Sequence, residues 1–264
     1  MSERDHYPHG VPCWIDTLQP DPDAALDFYG ALFGWEFAGP GDIPGDPPGR
    51  YHVARLRGKD VAGVGSQPAN GAAPAHPVWT TYVAVDSADA AADRTREAGG
   101  SVLAEPFDAP PAGRMAVLSD PAGAAFSVWE AGVRKGAELV NEPAAWAMSS
   151  LTTPDTHAAE EFYGELFGWE TESFGPSVML LRRPGYVGGE PEQPVPRDVV
   201  AVMSAGAPAW NIDLWVSGAD ATVALAAELG GSVVVPPREI PGFRNAVIVD
   251  PQGATLSVSQ LLAQ

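Results

Sequence analysis

The chain has 264 residues, a formal net charge of −19 and 45% hydrophobic residues. This length allows one large domain or two of about half the size, and the hydrophobic share is enough for a folded core. So large an acidic excess repels phosphate backbones and makes nucleic acid a poor partner, while it favours solubility or a cationic small molecule.

The single cysteine, Cys13, excludes an internal disulfide and a cysteine-based zinc site. Its apolar surroundings are typical of a buried core residue. The sequence shows no apolar run long enough to span a membrane and no signal-sequence pattern. It therefore predicts a cytoplasmic protein without a membrane partner.

The first half reads as two units of one strand, one helix and three strands. Residues 1–10 are polar and are expected to form a loose tail. Apolar periodicity, helix-start residues and glycine stops predict the elements that follow. The first unit has a strand at 11–18, a helix at 24–33, a strand from Trp35, a loop at 39–49, and strands at 50–57 and 60–66. After a linker at 67–77, the second unit has a strand at 79–85, a helix at 87–98, and strands at 101–105, 115–119 and 124–130.

The second half repeats the same order after a connection at 132–143. Its first unit is predicted as a strand at 146–151, a helix at 155–167, and strands from Trp169, Ser177 and Tyr186. Its second unit is predicted as a strand at 210–216, a helix at 219–229, and strands from Ser232, Ala246 and Ala254.

Three repeated segments support this division. Phe28–Phe37 recurs 134 residues later as 162–171, with eight of ten positions identical. Gly-Gly-Ser-Val occurs at 99–102 and 230–233, and Asp-Pro-x-Gly occurs at 120–123 and 250–253. Similar segments that recur at a spacing of about half the chain length indicate a tandem repeat.

These segments resemble the vicinal oxygen chelate superfamily, which includes glyoxalase I, extradiol dioxygenases, and fosfomycin- and bleomycin-resistance proteins. Within it, the sequence is most similar to a two-domain, actinobacterial group of glyoxalase-like and hydroxylase-like proteins. The resemblance implies an α+β fold with two glyoxalase-like domains, at 11–131 and 144–264. Each domain would be a pair of βαβββ modules that form a cupped mixed sheet with helices on its convex face.

Strand alternation then assigns side chains to the concave face, called the cup here. The first cup, in residues 11–131, and the second cup, in residues 144–264, each receive aromatic and polar side chains. In the first cup these are Trp14, Asp16, Thr80, Tyr82, Ser127 and Trp129. In the second they are Met148, Ser150, Asn211, Asp213, Trp215, Ser257 and Ser259.

The resemblance also implies where a divalent metal would be held. The corresponding positions in this chain are Trp14, Thr80, Ser127, Met148, Asn211 and Ser257, with further positions near Gly63 and in 199–202. None of these is a His or a carboxylate, which such metals require. His52, His76 and His157 lie in a strand, a linker and a helix and are not expected to converge. We therefore expect no metal and no other cofactor.

Aromatic rings with a few polar groups are typical of a site for a flat, largely apolar small molecule. The candidate ligand-binding residues are Trp14, Tyr82, Trp129, Met148, Asn211, Trp215, Ser257 and Arg244. The alternative is that these rings fill each cup as core. Arg114 and Arg244 occur at equivalent positions and could either contact an anion at the cup rim or tie down a loop through an ion pair.

Three functions follow from this reading. The first is a metal-independent protein that binds an aromatic or otherwise largely apolar metabolite, in secondary metabolism or resistance. The second is a cofactor-independent hydroxylase- or isomerase-type enzyme, with Asp213 or Asp16 as general base and Tyr82 or Asn211 stabilising an oxyanion. The third is a glyoxalase I-type metalloenzyme. Because two tandem domains can complete their own cups, a monomer or weak homodimer is expected.

Overall fold

The computed structural model describes residues 2–43, 48–67, 76–188 and 197–262. In the first half the elements are β1 (Pro12–Gln19), α1 (Pro22–Phe33), β2 (Glu36–Ile43), β3 (Gly49–Leu56), β4 (Lys59–Ser66), β5 (Trp79–Ala84), α2 (Ala88–Glu97), β6 (Ser101–Ala109), β7 (Gly113–Ser119) and β8 (Ala125–Ala131). In the second half they are β9 (Trp146–Thr153), α3 (Thr156–Phe167), β10 (Glu170–Phe174), β11 (Val178–Arg182), β12 (Val199–Ala205), β13 (Ala209–Trp215), α4 (Ala219–Glu228), β14 (Ser232–Ile240), β15 (Phe243–Val249) and β16 (Thr255–Leu261).

Each half forms one eight-stranded mixed sheet. The strand orders are β2-β3-β4-β1-β5-β8-β7-β6 and β10-β11-β12-β9-β13-β16-β15-β14. The first strands of the two modules in each half, β1 with β5 and β9 with β13, pair antiparallel at the centre of the sheet. The α+β fold of two domains built from paired βαβββ modules is therefore confirmed.

The repeated helix ends follow their sequence signals. Asp21 caps α1 by accepting a hydrogen bond from the Ala24 N–H, and Asp155 caps α3 in the same way. Both helices stop at a glycine in the left-handed conformation, Gly34 at φ 70° and Gly168 at φ 69°. The cap and stop residues thus fix where each helix begins and ends.

Several boundaries differ from expectation. The strand expected from Tyr186 begins at Val199, because residues 183–188 that follow β11 are not extended into a strand. Residues 189–196 lie outside the described part. The loop expected at 39–49 is strand as far as Ile43, and residues 44–47 lie outside the described part. Of the linker expected at 67–77, residues 68–75 also lie outside it.

The N-terminal segment is held against the body of the protein rather than loose. Glu3 forms a β-bridge with Leu139, and the Tyr7 hydroxyl donates to the Ala137 carbonyl at 2.7 Å. Residues 2 and 10 are buried. The segment 132–143 supplies these partners, so the tail and this segment pair their backbone groups with each other.

The two sheets meet through the faces that carry the helices. Helix α1 contacts α4, α2 contacts α3, and β5 contacts β13. A hydrogen bond of 2.7 Å joins the Thr81 and Ser149 hydroxyls where the sheets touch. One core cluster joins the first module of the first half to the second module of the second half, and a second cluster joins the other two modules. The halves therefore share their cores.

The repeated motifs form the contacts between the halves. The Tyr29 hydroxyl of α1 donates to Asp250 Oδ2 at 2.7 Å, and the Tyr163 hydroxyl of α3 donates to Asp120 Oδ2 at 3.1 Å. Each aspartate also uses its Oδ1 to accept backbone N–H groups of its own hairpin turn. The Phe-Tyr-Gly helix of one half is thus locked onto the Asp-Pro-x-Gly turn of the other.

Candidate functional site

The first cup is filled by its own aromatic rings. Trp14, Tyr82 and Trp129 are only 5%, 6% and 8% exposed. The rings of Tyr82 and Trp129 meet edge to face with centroids 6.4 Å apart. The Arg134 guanidinium lies 5.4 Å from the centre of the Trp14 ring. The structure therefore places these three candidate ligand-binding residues together, in a packed cluster.

Asp16 is buried at the base of the first cup. Its Oδ2 accepts hydrogen bonds from the Tyr82 hydroxyl at 2.7 Å and the Tyr51 hydroxyl at 3.0 Å. Its Oδ1 is buried without a partner in the described part of the chain. Burial raises the pKa of Asp16 to about 6, although the two tyrosine hydrogen bonds act in the opposite direction.

Tyr51 was not anticipated from the sequence. Its hydroxyl accepts from Trp14 Nε1 at 2.8 Å and lies where a side chain at position 63 would be. A Cβ placed on Gly63 would come within 1.8 Å of the Tyr51 hydroxyl oxygen and 2.9 Å of Asp16 Cβ. The tyrosine on β3 thus depends on a glycine of the neighbouring strand β4, and such a pairing is visible only in three dimensions.

The second cup contains a series of hydrogen-bonded polar side chains that is partly exposed to solvent. Strand register places Asp213 opposite Met148 on one side and Ser257 on the other, and Asn211 opposite Ser150. Met148, Asn211, Asp213 and Ser257 are all partly exposed. The structure therefore brings these sequence-derived candidates together on one concave face.

Asn245 organises this polar chain and was missed from the sequence. Its Nδ2 donates to Ser257 Oγ at 2.6 Å and to Ser259 Oγ at 3.0 Å. Ser259 in turn donates to Asp213 Oδ1 at 2.8 Å. A signal was available: Ala246 and Ile248 face the helices, so alternation places Asn245 in the cup.

Asp213 has an unusual proton affinity for a carboxylate. Burial raises its pKa to about 6, against the opposing effect of hydrogen bonds from Ser257 and Ser259. The Asn211 amide makes no hydrogen bond within the described residues. Beside them, the partly exposed Phe243 ring packs on the buried Trp215 ring, with centroids 6.0 Å apart. The second cup thus combines one titratable group, one uncommitted amide and an apolar surface.

Arg244 does not lie in this cup. It is on the helix side of β15, and its Nε and Nη2 bind the Asp220 carboxylate at 2.5 and 2.8 Å, in the first turn of α4. Arg114 pairs with Asp89 of α2 in the same way. The expectation of an anion contact at the cup rim is thereby corrected in favour of the ion-pair alternative, because strand alternation turns both side chains toward a helix.

The residues at the family's metal positions do not fit a divalent metal. In the first cup these positions hold the Trp14 indole, the buried Ser127 hydroxyl, and Gly63, whose side-chain space is occupied by the Tyr51 hydroxyl. In the second cup they hold the Met148 thioether, the Asn211 amide and the Ser257 hydroxyl. No three His, Cys, Asp or Glu side chains gather to form a metal-binding group within the described ranges. His52 and His157 lie on β3 and α3, and His76 precedes β5.

Comparison with known protein families agrees with the geometry of the sheets. The model of the Glyoxalase/Bleomycin resistance protein/Dioxygenase superfamily matches residues 14–128, and that of the Glyoxalase-like domain matches residues 146–259. The chain belongs to this superfamily. Each matched range covers one of the two cupped sheets.

Relatives of similar length extend over nearly the whole chain. CFP32 of Mycobacterium tuberculosis, which carries the name of a glyoxylase, is 38% identical over 98% of this chain and 97% of its own. The anthracycline biosynthesis protein DnrV of Streptomyces peucetius is 38% identical over 96% of this chain and 94% of its own. DauV of Streptomyces sp. (strain C5), also an anthracycline biosynthesis protein, is 36% identical over the same shares.

Solved structures share the fold. The Mn(II)-bound glyoxalase of Novosphingobium aromaticivorans superposes with a TM-score of 0.64 at 19% identity, covering 97% of this chain and 83% of that one. The 2,3-dioxygenase LapB of Pseudomonas sp. KL28 superposes with a TM-score of 0.64 at 11% identity, covering 96% of this chain and 93% of that one.

Among the described residues, none of the helices has the length and apolar character needed to cross a membrane.

Proposed function

We propose that this protein binds an aromatic or otherwise largely apolar small molecule in the second cup, without a metal ion. The observation that carries the proposal is the contrast between the two cups. The first is occupied by its own rings, with Trp14, Tyr82 and Trp129 all buried. In the second, Trp215 is likewise buried at 4% exposed, but Asn211, Asp213 and Met148 are partly exposed beside it.

The composition of the second cup suits a flat ligand with a few polar substituents. The partly exposed Phe243 and Met148 provide apolar area, and Met adapts its shape to irregular surfaces. The Asn211 amide can donate and accept, and Asp213 can accept or, when protonated, donate. Two relatives are named for anthracycline biosynthesis, which favours a fused-ring aromatic ligand from secondary metabolism.

Binding of 1,8-dihydroxyanthraquinone tests the proposal. Calorimetry and quenching of tryptophan fluorescence should show saturable binding of one molecule per chain, with the same affinity after EDTA treatment. Asn211→Ala should weaken binding at least about fivefold, because it removes an uncommitted amide from the second cup. Thr80→Ala, the equivalent position in the first cup, is the matched control and should leave binding unchanged.

Two results would contradict this proposal. Equal loss of affinity in Thr80→Ala and Asn211→Ala would remove the distinction between the cups. Loss of binding on EDTA treatment, together with about one metal ion per chain by elemental analysis, would favour the glyoxalase-type alternative despite the poor donor set.

A second candidate function is proton-transfer catalysis in the same cup, with Asp213 as general base. A base is most effective when its pKa lies near the working pH, and burial raises the pKa of Asp213 to about 6. The Ser259 hydroxyl holds one carboxylate oxygen at 2.8 Å, which fixes its direction. This geometry supports the isomerase side of the enzyme hypothesis, which needs only a proton to be taken and returned.

Deuterium exchange separates catalysis from binding. With 2-acetyl-1-tetralone in D2O, catalysis predicts accelerated exchange of the acidic C–H, measured by NMR. Because the base must be ionised, the rate should fall as the pH drops through about 6. Asp213→Asn should abolish the acceleration while retaining anthraquinone binding, and Asp16→Asn in the other cup should not. If exchange is no faster with the protein than in buffer, the catalytic function is excluded and only the binding function remains.

A further inference from the structure

A row of side chains crosses the second cup from the outer edge of the sheet to its centre. The strand register pairs Arg238 of β14 with Asn245 of β15. It pairs Asn245 in turn with Ser259 of β16, and Ser259 with Trp215 of β13. Residues paired in this way project from the same face of a sheet. Since Asn245 and Ser259 belong to the cup, Arg238 lies on the cup side of the edge strand.

The residue next to Arg238 agrees with this orientation. Glu239 is paired in register with Arg244, whose side chain lies on the helix side of the sheet and binds Asp220. Because side chains alternate along a strand, Arg238 and Glu239 face opposite sides. The anion contact at the cup rim that the sequence suggested for Arg244 is therefore available at Arg238 instead.

The equivalent row of the first cup is apolar. There the register pairs Phe107 of β6 with Met115 of β7, and Met115 with Trp129 of β8. Phe107 precedes Arg238 by 131 residues, which is the spacing of the Gly-Gly-Ser-Val repeat. The second cup thus has a guanidinium, an amide and a hydroxyl where the first has three apolar side chains. Since both cups share one fold, the fold itself does not require this polar row.

The Arg238 guanidinium is free to meet a ligand. The side chain is exposed and makes no ion pair or side-chain hydrogen bond within the described part of the chain. The protein has 34 Asp and Glu against 15 Lys and Arg, and Arg244 and its equivalent Arg114 both bind a carboxylate. An arginine that remains without a carboxylate in so acidic a protein keeps its N–H donors available. Its planar fork of donors matches the two oxygens of a carboxylate.

The position of Arg238 also sets the size of the ligand. Neighbouring strands lie about 4.8 Å apart, so β13 and β14, which are separated by β16 and β15, lie about 14 Å apart. Asn211 and Asp213 are on β13. A fused-ring system with a substituent at its end can approach both Asn211 and Arg238, whereas a single benzene ring is too short.

We propose that Arg238 binds a carboxylate of the ligand in the second cup, so that this ligand is a fused-ring aromatic acid. The inference rests on the function proposed above and adds the charge and size of the ligand. The guanidinium donates to the carboxylate at the edge of the sheet. The rings lie over Asn245 and Phe243, and polar substituents at the far end meet Asn211 and Asp213.

Two anthraquinones that differ in one substituent test this charge preference. 1,8-Dihydroxyanthraquinone-3-carboxylate and its neutral 3-hydroxymethyl analogue have the same ring system. Calorimetry at low ionic strength should show that the carboxylate binds at least about fivefold more tightly. The preference should shrink as salt is added, because Arg238 is exposed and its charge is screened.

Variants assign the preference to Arg238. Arg238→Gln should weaken binding of the carboxylate about fivefold and leave binding of the hydroxymethyl compound unchanged. Arg238→Lys should restore part of the preference, because an ammonium keeps the charge but lacks the fork of donors. Arg94→Gln is the matched control. Arg94 is also exposed, lies on α2 away from the cup, and its loss changes the net charge by the same amount, so both affinities should stay unchanged.

The outcomes separate this inference from the proposed function. If neither anthraquinone binds, both are overturned. If both compounds bind equally well, or if the preference for the carboxylate persists in Arg238→Gln, the cup binds its ligand without this contact and the inference about Arg238 alone is wrong. Equal losses of carboxylate affinity in Arg238→Gln and Arg94→Gln would also overturn it, because the preference would then follow the overall charge of the protein.

Discussion

At the scale of single residues, the molecule contains two buried or partly buried carboxylates whose pKa values are raised to about 6, one in each cup. Their settings differ. Asp16 is 3% exposed and accepts from two tyrosines of a packed cluster. Asp213 is partly exposed and belongs to a chain of serine and asparagine side chains. The same rise in pKa therefore occurs for a buried carboxylate within a packed cluster in the first cup and for a partly exposed carboxylate in the second.

Asp16→Asn should change how stability depends on pH. Because burial raises its pKa from 3.8 to about 6, the native state holds this proton more tightly than the unfolded state. Its contribution to the free energy of unfolding is then greatest below about pH 4 and is lost as the pH rises through 6. Relative to the native chain, the Asp16→Asn variant should gain about 2 kcal/mol in free energy of unfolding between pH 4 and 7, measured by urea unfolding at each pH.

Asp23→Asn is the matched control for this experiment. Arg50 binds the exposed Asp23 carboxylate at 2.8 Å and lowers its pKa. The contribution of Asp23 to the free energy of unfolding is therefore present at neutral pH and lost on acidification. Relative to the native chain, the Asp23→Asn variant should lose a small amount of stability as the pH rises, which is opposite to the change expected for Asp16→Asn. A difference between Asp16→Asn and the native chain that stays constant from pH 4 to 7 would contradict the assignment of Asp16.

At the scale of elements, each Phe-Tyr-Gly helix is attached to the opposite half. Tyr29 donates to Asp250 and accepts from Trp79 Nε1 at 3.1 Å, and Tyr163 donates to Asp120 and accepts from Trp210 Nε1 at 2.9 Å. Both tyrosines are completely buried. The two turns and two helices therefore form equivalent locks related by the internal repeat.

Tyr29→Phe should lower the free energy of unfolding by about 1–3 kcal/mol, because it leaves the Asp250 carboxylate and the Trp79 indole short of a partner in a buried site. Tyr163→Phe should cost a similar amount. Since the two locks share no residue, their effects should add to within about 0.5 kcal/mol in the double variant. Denaturant titration measures all three, and a negligible effect of either single change would rule out a stabilising lock.

At the scale of the whole molecule, the two sequence repeats are not two independent cores. Phe28 of the first half lies in one cluster with Leu256 of the second, and Phe162 of the second half lies with Phe126 of the first. Each helix therefore covers its own sheet and also part of the other. Both sheets depend on the pairing for burial of their helix-bearing faces.

Separate production of residues 1–131 and 132–264 tests this dependence. Each fragment should be unfolded or aggregate, because each leaves half of two shared clusters exposed. Mixed or co-expressed fragments should associate and recover the circular dichroism of the intact chain. A fragment that alone unfolds cooperatively with native-like stability would show that the halves are autonomous. The intact chain should unfold in a single transition.

Much of the fold and part of the site were predictable from the sequence. Eight identities in ten positions, helix-start residues and strand alternation are local features, and they were enough to predict the modules and their order. The resemblance to the superfamily added the cup, and alternation then assigned the rows of side chains that face it. They also predicted that Asn211, Asp213 and Ser257 share one face, which the strand register agrees with.

Only the tertiary structure decided which cup is filled and how the halves meet. Tyr51 reaches Asp16 across Gly63, and Asn245 links two serines on a neighbouring strand, so both depend on contacts between strands that no local pattern encodes. The sharing of cores between halves depends on packing between segments that lie far apart in the sequence. Local periodicity specifies the face on which a side chain lies, and close packing of distant segments specifies what it touches.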